Sequence, residues 1–252
     1  MDSETLRALL LGVQRGEVSI QSATERLEVW PVEELGYAVV DHHRAVRQGM
    51  PEVVLGESKS PEQVVGIARA LLARTGNVLV TRVDAAKAEL VCQAVPELRY
   101  QEAARVLVSE ARHVTPLGNA PVCVVTAGTS DVPVAEEAAE TLLACGVALE
   151  RVYDVGVAGL HRVLGHLDTL RAAPVVIVIA GMEGALSSVV GGLVAAPVIA
   201  VPTSVGYGTA LSGFTALFGM LTGCAAGVTV VNIDNGFGAA LAAFRILRGA
   251  AQ

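Results

Sequence analysis

The sequence predicts an α/β protein: a doubly wound parallel sheet of about five strands, preceded by a small α+β domain and a helical arm. Three observations carry this. Val122–Val125, Val175–Ala180, Val198–Val201 and Val228–Ile233 are continuously apolar rather than alternating, as strands buried on both faces are. Helical stretches separate them, which is the β/α alternation of a parallel sheet. Residues 184–233 contain no charged side chain, yet prolines, glycines and hydroxyl residues interrupt them. That pattern fits a packed interior and a subunit interface better than a hydrocarbon span.

The elements follow in order. Residues 1–35 form the arm: residues 2–28 read as helical, with Leu6, Leu9, Leu10 and Val13 on one face. Gly16 ends that segment, and Ser22 or Thr24 could cap the next turn. Residues 36–118 form the α+β domain. An apolar strand at Val39–Asp41 gives way to the polar run His42-His43-Arg44, and Pro51–Gly56 is a short strand. Pro61–Arg74 is an amphipathic helix with proline at its start, where the missing N–H costs nothing. Asn77–Thr81 is a strand, Asp84–Val95 a helix, and Arg105–Val108 a strand. Residues 119–252 hold the parallel sheet, to which Val147–Tyr153 adds a weaker strand. Its helices are predicted at Val134–Cys145, Gly159–Arg171, Ala185–Leu193, Ala210–Leu221 and Ala239–Leu247.

Composition removes several classes of function. The net charge is −7, with −3 in residues 1–120 and −4 in residues 121–252. Such a chain has no general attraction to nucleic acid or anionic membrane. The only lysines are Lys59 and Lys87, so the second half holds neither a Schiff-base lysine nor a phosphate-loop lysine. Cys92, Cys123, Cys145 and Cys224 form no Cys-x-x-Cys pair, which points to free thiols rather than a disulfide framework or a zinc site. Met1–Glu4 is acidic and no apolar core follows it, so the sequence predicts no signal peptide and a cytoplasmic location. Leu211–Val231 is long enough to span a bilayer. Its glycines recur at strand–turn spacing and Lys/Arg flanks are missing, so no membrane association is expected.

In doubly wound sheets ligands bind beyond the carboxyl ends of the strands, and the polar turns fall there. Gly128-Thr129-Ser130-Asp131 opens a helix: its N–H groups and hydroxyls can hold a phosphate or carboxylate, or Asp131 or Ser130 can simply cap the helix. His161 and Arg162 follow the Gly-rich Asp154–Gly159 turn; arginine could clamp a phosphate and histidine shuttle a proton, or both lie on a helix surface. Glu183, between glycines in Ala180–Gly184, is a buried base or a surface cap. Cys92, Cys123 and Cys145 sit among apolar neighbours as core packing. Cys224, in the loop Thr222–Gly227, is the candidate nucleophile. Because this loop precedes the last strand, a neighbouring subunit or a fold-back must bring it to the rim. His42 and His43 could be metal ligands, but no third ligand stands at useful spacing.

Read together, these turns resemble the LarB family, carboxylases of nickel-pincer-nucleotide synthesis. The second half resembles the aminoimidazole ribonucleotide (AIR) carboxylase, or PurE, domain, which implies a flavodoxin-like fold. The resemblance spans about residues 36–248. It rests on Asp41–Arg44 with Arg47-Gln48-Gly49 and Pro51–Val54, on Thr129–Ala138, and on Asp154–Arg162. Ala180–Leu186, Pro202–Gly208 and Val231–Gly238 complete it. One departure is Glu57-Ser58-Lys59-Ser60, where the family usually carries a Gly-Lys-Thr element.

The resemblance implies carboxylation of the pyridinium ring of nicotinic acid adenine dinucleotide by CO2 and cleavage of its diphosphate. The products would be pyridinium-3,5-biscarboxylic acid mononucleotide and AMP. It implies Cys224 as nucleophile, with Asp131, His161 and Glu183 as acid/base groups. Substrate contacts would come from Gly128, Thr129, Ser130, Asp154, Gly156, Arg162, Gly181, Met182, Thr203, Ser204, Gly206, Tyr207, Asn232, Asp234 and Asn235. No organic cofactor is expected; Mg2+ could help Arg162 and backbone N–H groups neutralise the diphosphate. A homo-octamer with sites between subunits is implied. The competing readings are an AIR carboxylase of purine synthesis, whose substrate is already an enamine and needs no thiol, and a non-catalytic nucleotide-binding module.

Overall fold

The computed structural model describes residues 3–28, 32–50, 52–109 and 116–250, so Pro51, the expected start of a strand, lies outside the described residues. The chain divides into two compact units, Met1–His113 and Val114–Gln252.

In the first unit α1 (Ser3–Gln14) ends before Gly16, whose φ of 73° only glycine adopts at little cost. The cap of α2 (Ile20–Glu28) is neither Ser22 nor Thr24 but Ser19, whose Oγ accepts the Ser22 N–H at 3.1 Å. Thr24 lies inside the helix and donates to the Ile20 carbonyl at 2.9 Å. β1 (Val32–Glu34) pairs antiparallel with β2 (Val39–Asp41), and α3 (Arg44–Gln48) takes up the polar run.

A four-stranded mixed sheet follows, in the order β3 (Val53–Leu55), β4 (Leu79–Thr81), β6 (Val106–Ser109), β5 (Leu98–Gln101). Only β3 and β4 are parallel, joined by α4 (Pro61–Thr75), while α5 (Ala85–Ala94) leads into β5. Ser60 and Gln63 form a reciprocal capping box and Pro61 opens α4; Asp84 caps α5 through the Lys87 N–H at 2.8 Å. The Lys87 ammonium donates to the carbonyls of Gly56 at 2.7 Å and Glu57 at 3.0 Å, fastening the turn after β3. Val54, Val64, Leu71, Val80, Val91 and Leu107 form the core.

In the second unit five strands are all parallel, in the order β11 (Val228–Val230), β10 (Val198–Pro202), β9 (Val176–Ala180), β7 (Leu117–Thr126), β8 (Val147–Val152). This is the flavodoxin-like order: the chain runs outward from β7 to β8, then crosses back to build the other side from β9. α6 (Val132–Ala144) and α11 (Gly236–Ala250) pack together on one face. On the other, α8 (Leu167–Ala172), α9 (Ala185–Leu193) and α10 (Phe214–Leu221) supply Leu170, Leu186, Val190 and Met220 against Cys123, Val125, Val176, Val178 and Ala200. β9 and β10 are buried at every residue, which accounts for their unbroken apolar sequence.

Two predicted helices are changed. Gly159–Arg171 is broken: α7 (Leu160–Leu164) stops at Gly165 and α8 restarts after His166. The start of Ala210–Leu221 is a 3-10 turn in which Leu211 and Ser212 take left-handed φ of 47° and 52°. Gly213, at φ 95°, then admits α10. β11 ends at Val230; beyond it the Val231 N–H donates to the Ala200 carbonyl at 3.0 Å and the Asp234 N–H to the Pro202 carbonyl at 2.9 Å, three residues against two, which breaks the regular ladder. Leu211–Val231 is thus a turn, an eight-residue helix, a loop and a short strand. Among the described residues no helix is long and apolar enough to cross a membrane.

Candidate active site

The crevice of a doubly wound sheet opens where the chain reverses direction, here between the carboxyl ends of β7 and β9. Asp131 sits there, 3% exposed. One carboxylate oxygen, Oδ2, accepts the Gly128 N–H at 2.9 Å, and the other, Oδ1, accepts the Thr203 hydroxyl at 2.7 Å. The Gly181 N–H also bonds it. One carboxylate therefore ties the turns after β7, β9 and β10. Burial pushes its pKa up; the bonds from Thr203, Gly128 and Gly181 oppose that, and nearby Asp234 adds to it. Asp131 makes no side-chain cap to α6.

Glycine permits this closeness. A Cβ on Gly181 would collide with the Val205 carbonyl, and one on Gly156 would stand 2.6 Å from the Ala127 carbonyl oxygen. Three non-glycine residues of the rim, Asp154, Met182 and Asp234, have φ of 60°, 54° and 53°. Left-handed backbone at such residues costs energy and collects at functional turns. Asp234 Oδ1 accepts the Ser204 N–H at 2.8 Å, joining the turns after β10 and β11. The Met182 N–H donates to the Val205 carbonyl at 2.9 Å.

The remaining predicted residues divide clearly. Thr129, Ser130, Ser204, Gly206, Tyr207 and Asn232 are exposed on rim turns. Met182 and Glu183 are exposed beside buried Gly181. Arg162 is engaged within the chain: it pairs with the Asp154 carboxylate at 3.0 Å and donates to the Gly156 carbonyl at 3.5 Å, while His161 is exposed beside it. Asn235 Oδ1 accepts the Gly238 N–H at 2.8 Å in the first turn of α11.

Cys224 is exposed, whereas Cys123 and Cys145 are buried and Cys92 is partly buried. Burial pushes the Cys123 and Cys145 thiols up to about 12, and raises Cys92 as well. The Cys224 loop lies along α9: a Cβ on Gly223 would meet Ser188 Oγ at 2.6 Å, and one on Gly191 would meet Ala225 Cβ at 3.0 Å. The helix that leads into it touches the turn after β9: a Cβ on Gly219 would collide with the Glu183 carbonyl, and one on Gly184 would stand 3.0 Å from Met220 Cγ.

Sequence reasoning missed Glu137. It is buried on α6, and its Oε2 accepts the Phe237 N–H at 3.1 Å, holding the amino end of α11. Glu136, Glu137 and Glu140 share this helix, and nothing in their spacing distinguishes the one that reaches α11. Its neighbour Glu136 holds Arg151 through two bonds, at 2.9 and 3.0 Å, and accepts the Tyr153 hydroxyl at 2.8 Å. In the first unit His42 pairs with Glu33 at 2.9 Å, and His43 Nδ1 lies 3.1 Å from an Arg47 nitrogen. Among the described residues no group of three His, Cys, Asp or Glu side chains is arranged to hold a metal.

A family model described as AIR carboxylase matches residues 121–252, so the second unit has the fold of that class. A second model, the LarB/PurE-like N-terminal domain, matches residues 32–112. With the two domains in this order, the chain belongs to the LarB family. It is 37% identical over 246 residues to an uncharacterized protein of Methanocaldococcus jannaschii, covering 94% of each chain. Among solved structures, a single-site variant of Treponema denticola PurE2 aligns with a TM-score of 0.40 at 19% identity, over 53% of this chain and 94% of that one. The family makes this chain a carboxylase-type enzyme.

Proposed function

We propose that the protein carboxylates the pyridinium ring of nicotinic acid adenine dinucleotide with CO2 and hydrolyses the diphosphate, giving pyridinium-3,5-biscarboxylic acid mononucleotide and AMP. The observation that carries this reading is the exposed Cys224 thiol in a charge-free segment of a LarB-family chain. A pyridinium ring is electron-poor and cannot attack CO2. Addition of the Cys224 thiolate to ring C4 gives a dihydropyridine whose C5 is an enamine carbon. C5 then forms a bond to CO2, a base takes the C5 proton, and the C4–S bond breaks with return of the electron pair to sulfur. Carboxylate and aromatic ring result, and the thiolate is regenerated. Uncharged surroundings suit CO2 and keep water from protonating the activated carbon.

Glu183, exposed on the turn after β9, and His161 are the groups free to move a proton, and Asp131 belongs to the same rim. Water then adds to the diphosphate to release AMP. Mg2+ at this step would be held largely by the diphosphate oxygens, since the described side chains provide no three-ligand site.

The site requires a second copy of the chain. Phe214, Phe218 and Leu221 on α10 are 51%, 58% and 60% exposed, and Tyr207 and Leu211 extend the same uncharged region. Covering that face with another subunit is favourable by about 25 cal/mol per Å2 of apolar surface. An octamer so formed would carry Cys224 to another chain's Gly128–Asp131 turn. The test is the mass of the product formed from the dinucleotide in 13C-bicarbonate: one labelled carboxylate per mononucleotide is expected. An unchanged dinucleotide, with AIR carboxylated instead, would reverse the assignment in favour of the purine enzyme.

A further inference from the structure

We propose that Thr203 is a positioning residue: its buried hydroxyl holds Asp131 ionised and fixed where the turns after β7, β9 and β10 meet. Thr203 has no exposed surface in the chain. Its hydroxyl donates to Asp131 Oδ1 at 2.7 Å across 72 residues of chain, and its own N–H is held by the Ala180 carbonyl at 3.0 Å. The side chain therefore points at Asp131 from a backbone that cannot shift without disturbing β9 and β10. A bond to an ionised carboxylate is among the stronger ones, and losing the donor leaves a buried charge undersatisfied. Gly128 and Gly181 supply the other donors, and Asp234 is the charged group facing the carboxylate. Burial favours the protonated acid, which would swing from acceptor to donor and release one of these N–H groups. The Thr203 hydroxyl opposes that change. The inference rests on the rim being the substrate site, but its structural part is independent of the substrate.

The test compares wild type, Thr203→Val and Thr203→Ser by thermal unfolding across pH 4–8, each also in an Asp131→Asn background. Asp131 is raised in the folded protein, so its buried charge costs stability at high pH, and that cost is relieved as pH falls through the folded pKa. Removing the Thr203 donor raises the folded pKa further, because that bond favours the ionised carboxylate. The Thr203→Val deficit should be largest near pH 7, shrink with acid, and lose its pH dependence when residue 131 is Asn. Thr203→Ser, which keeps the hydroxyl, should follow wild type. A deficit of equal size at every pH, or serine behaving like valine, would overturn the proposal. With nicotinic acid adenine dinucleotide as substrate, Thr203→Val should move the acidic limb of turnover to higher pH; a limb that stays put counts against the positioning role. Wild-type protein inactive on that dinucleotide would refute the proposed substrate, while the unfolding data would still decide the role of Thr203.

Discussion

Replacing Gly181 by alanine tests whether the rim is as tightly closed as its geometry indicates. The added Cβ would collide with the Val205 carbonyl oxygen and stand 2.8 Å from Thr203 Oγ1 and 2.9 Å from Val205 Cβ. Ordinary carbon contacts lie at about 3.5–4.0 Å, so clearing the Val205 carbonyl requires the turn after β10 to retreat by more than about 1 Å. That turn cannot retreat freely. It holds the Met182 N–H through Val205 at 2.9 Å and Asp131 through Thr203 at 2.7 Å. Overpacking of this kind costs about 1–3 kcal/mol, and loss of one hydrogen bond adds about 1 kcal/mol. For a unit of this size the sum lowers Tm by about 5–15 °C. Differential scanning calorimetry measures it. Gly192→Ala is the control, because Gly192 lies on α9 with nothing within 4 Å of the new Cβ; it should be neutral or gain up to ~1 kcal/mol. A Gly181→Ala protein melting within 1–2 °C of wild type, roughly the shift expected for an ordinary surface change, would refute the close approach of the two turns.

The other predictions concern the thiols and the assembly. In native protein a thiol reagent should label Cys224 first and Cys92 slowly, with Cys123 and Cys145 reacting only on unfolding; rapid labelling of two thiols per chain would contradict the burial. Cys224→Ser should abolish carboxylation of the dinucleotide, read by product mass, while Tm stays within about 1–2 °C of wild type, as for an exposed site. Phe218→Asp should split the assembly seen by light scattering, since it places a charge on the exposed apolar side of α10; an active wild-type monomer would refute the shared site.

The parallel sheet was legible because β9 and β10 are buried on both faces and show it in unbroken apolar sequence. Helices starting at prolines or ending at glycines were legible for equally local reasons, as at Pro61 and Gly16. What escaped depends on partners far along the chain. β5 is half-exposed and pairs only with β6, so Leu98–Gln101 carries no strong period. The helix expected from Ala210 starts late because Leu211 and Ser212 adopt a backbone that their side chains do not advertise. The rim turns were visible as Gly-rich polar segments. Their assembly around Asp131 was not, since Thr203 is 72 residues away, and Phe237 is 100 residues from the Glu137 that caps its helix.

The lysine distribution has a practical consequence. Both lysines belong to the first unit, and the Lys87 ammonium is already committed to the carbonyls of Gly56 and Glu57. Among the lysines, amine-directed coupling thus has Lys59 as its natural target, and the unit bearing Asp131 and Cys224 has no lysine to modify. A surface carrying activated esters would anchor the protein by its first unit and leave the rim chemically untouched. Maleimide probes would address the opposite part of the chain, through Cys224. Two orthogonal handles, one on each unit, are therefore already present without engineering, and a donor–acceptor pair placed on them would report the distance between the units in solution.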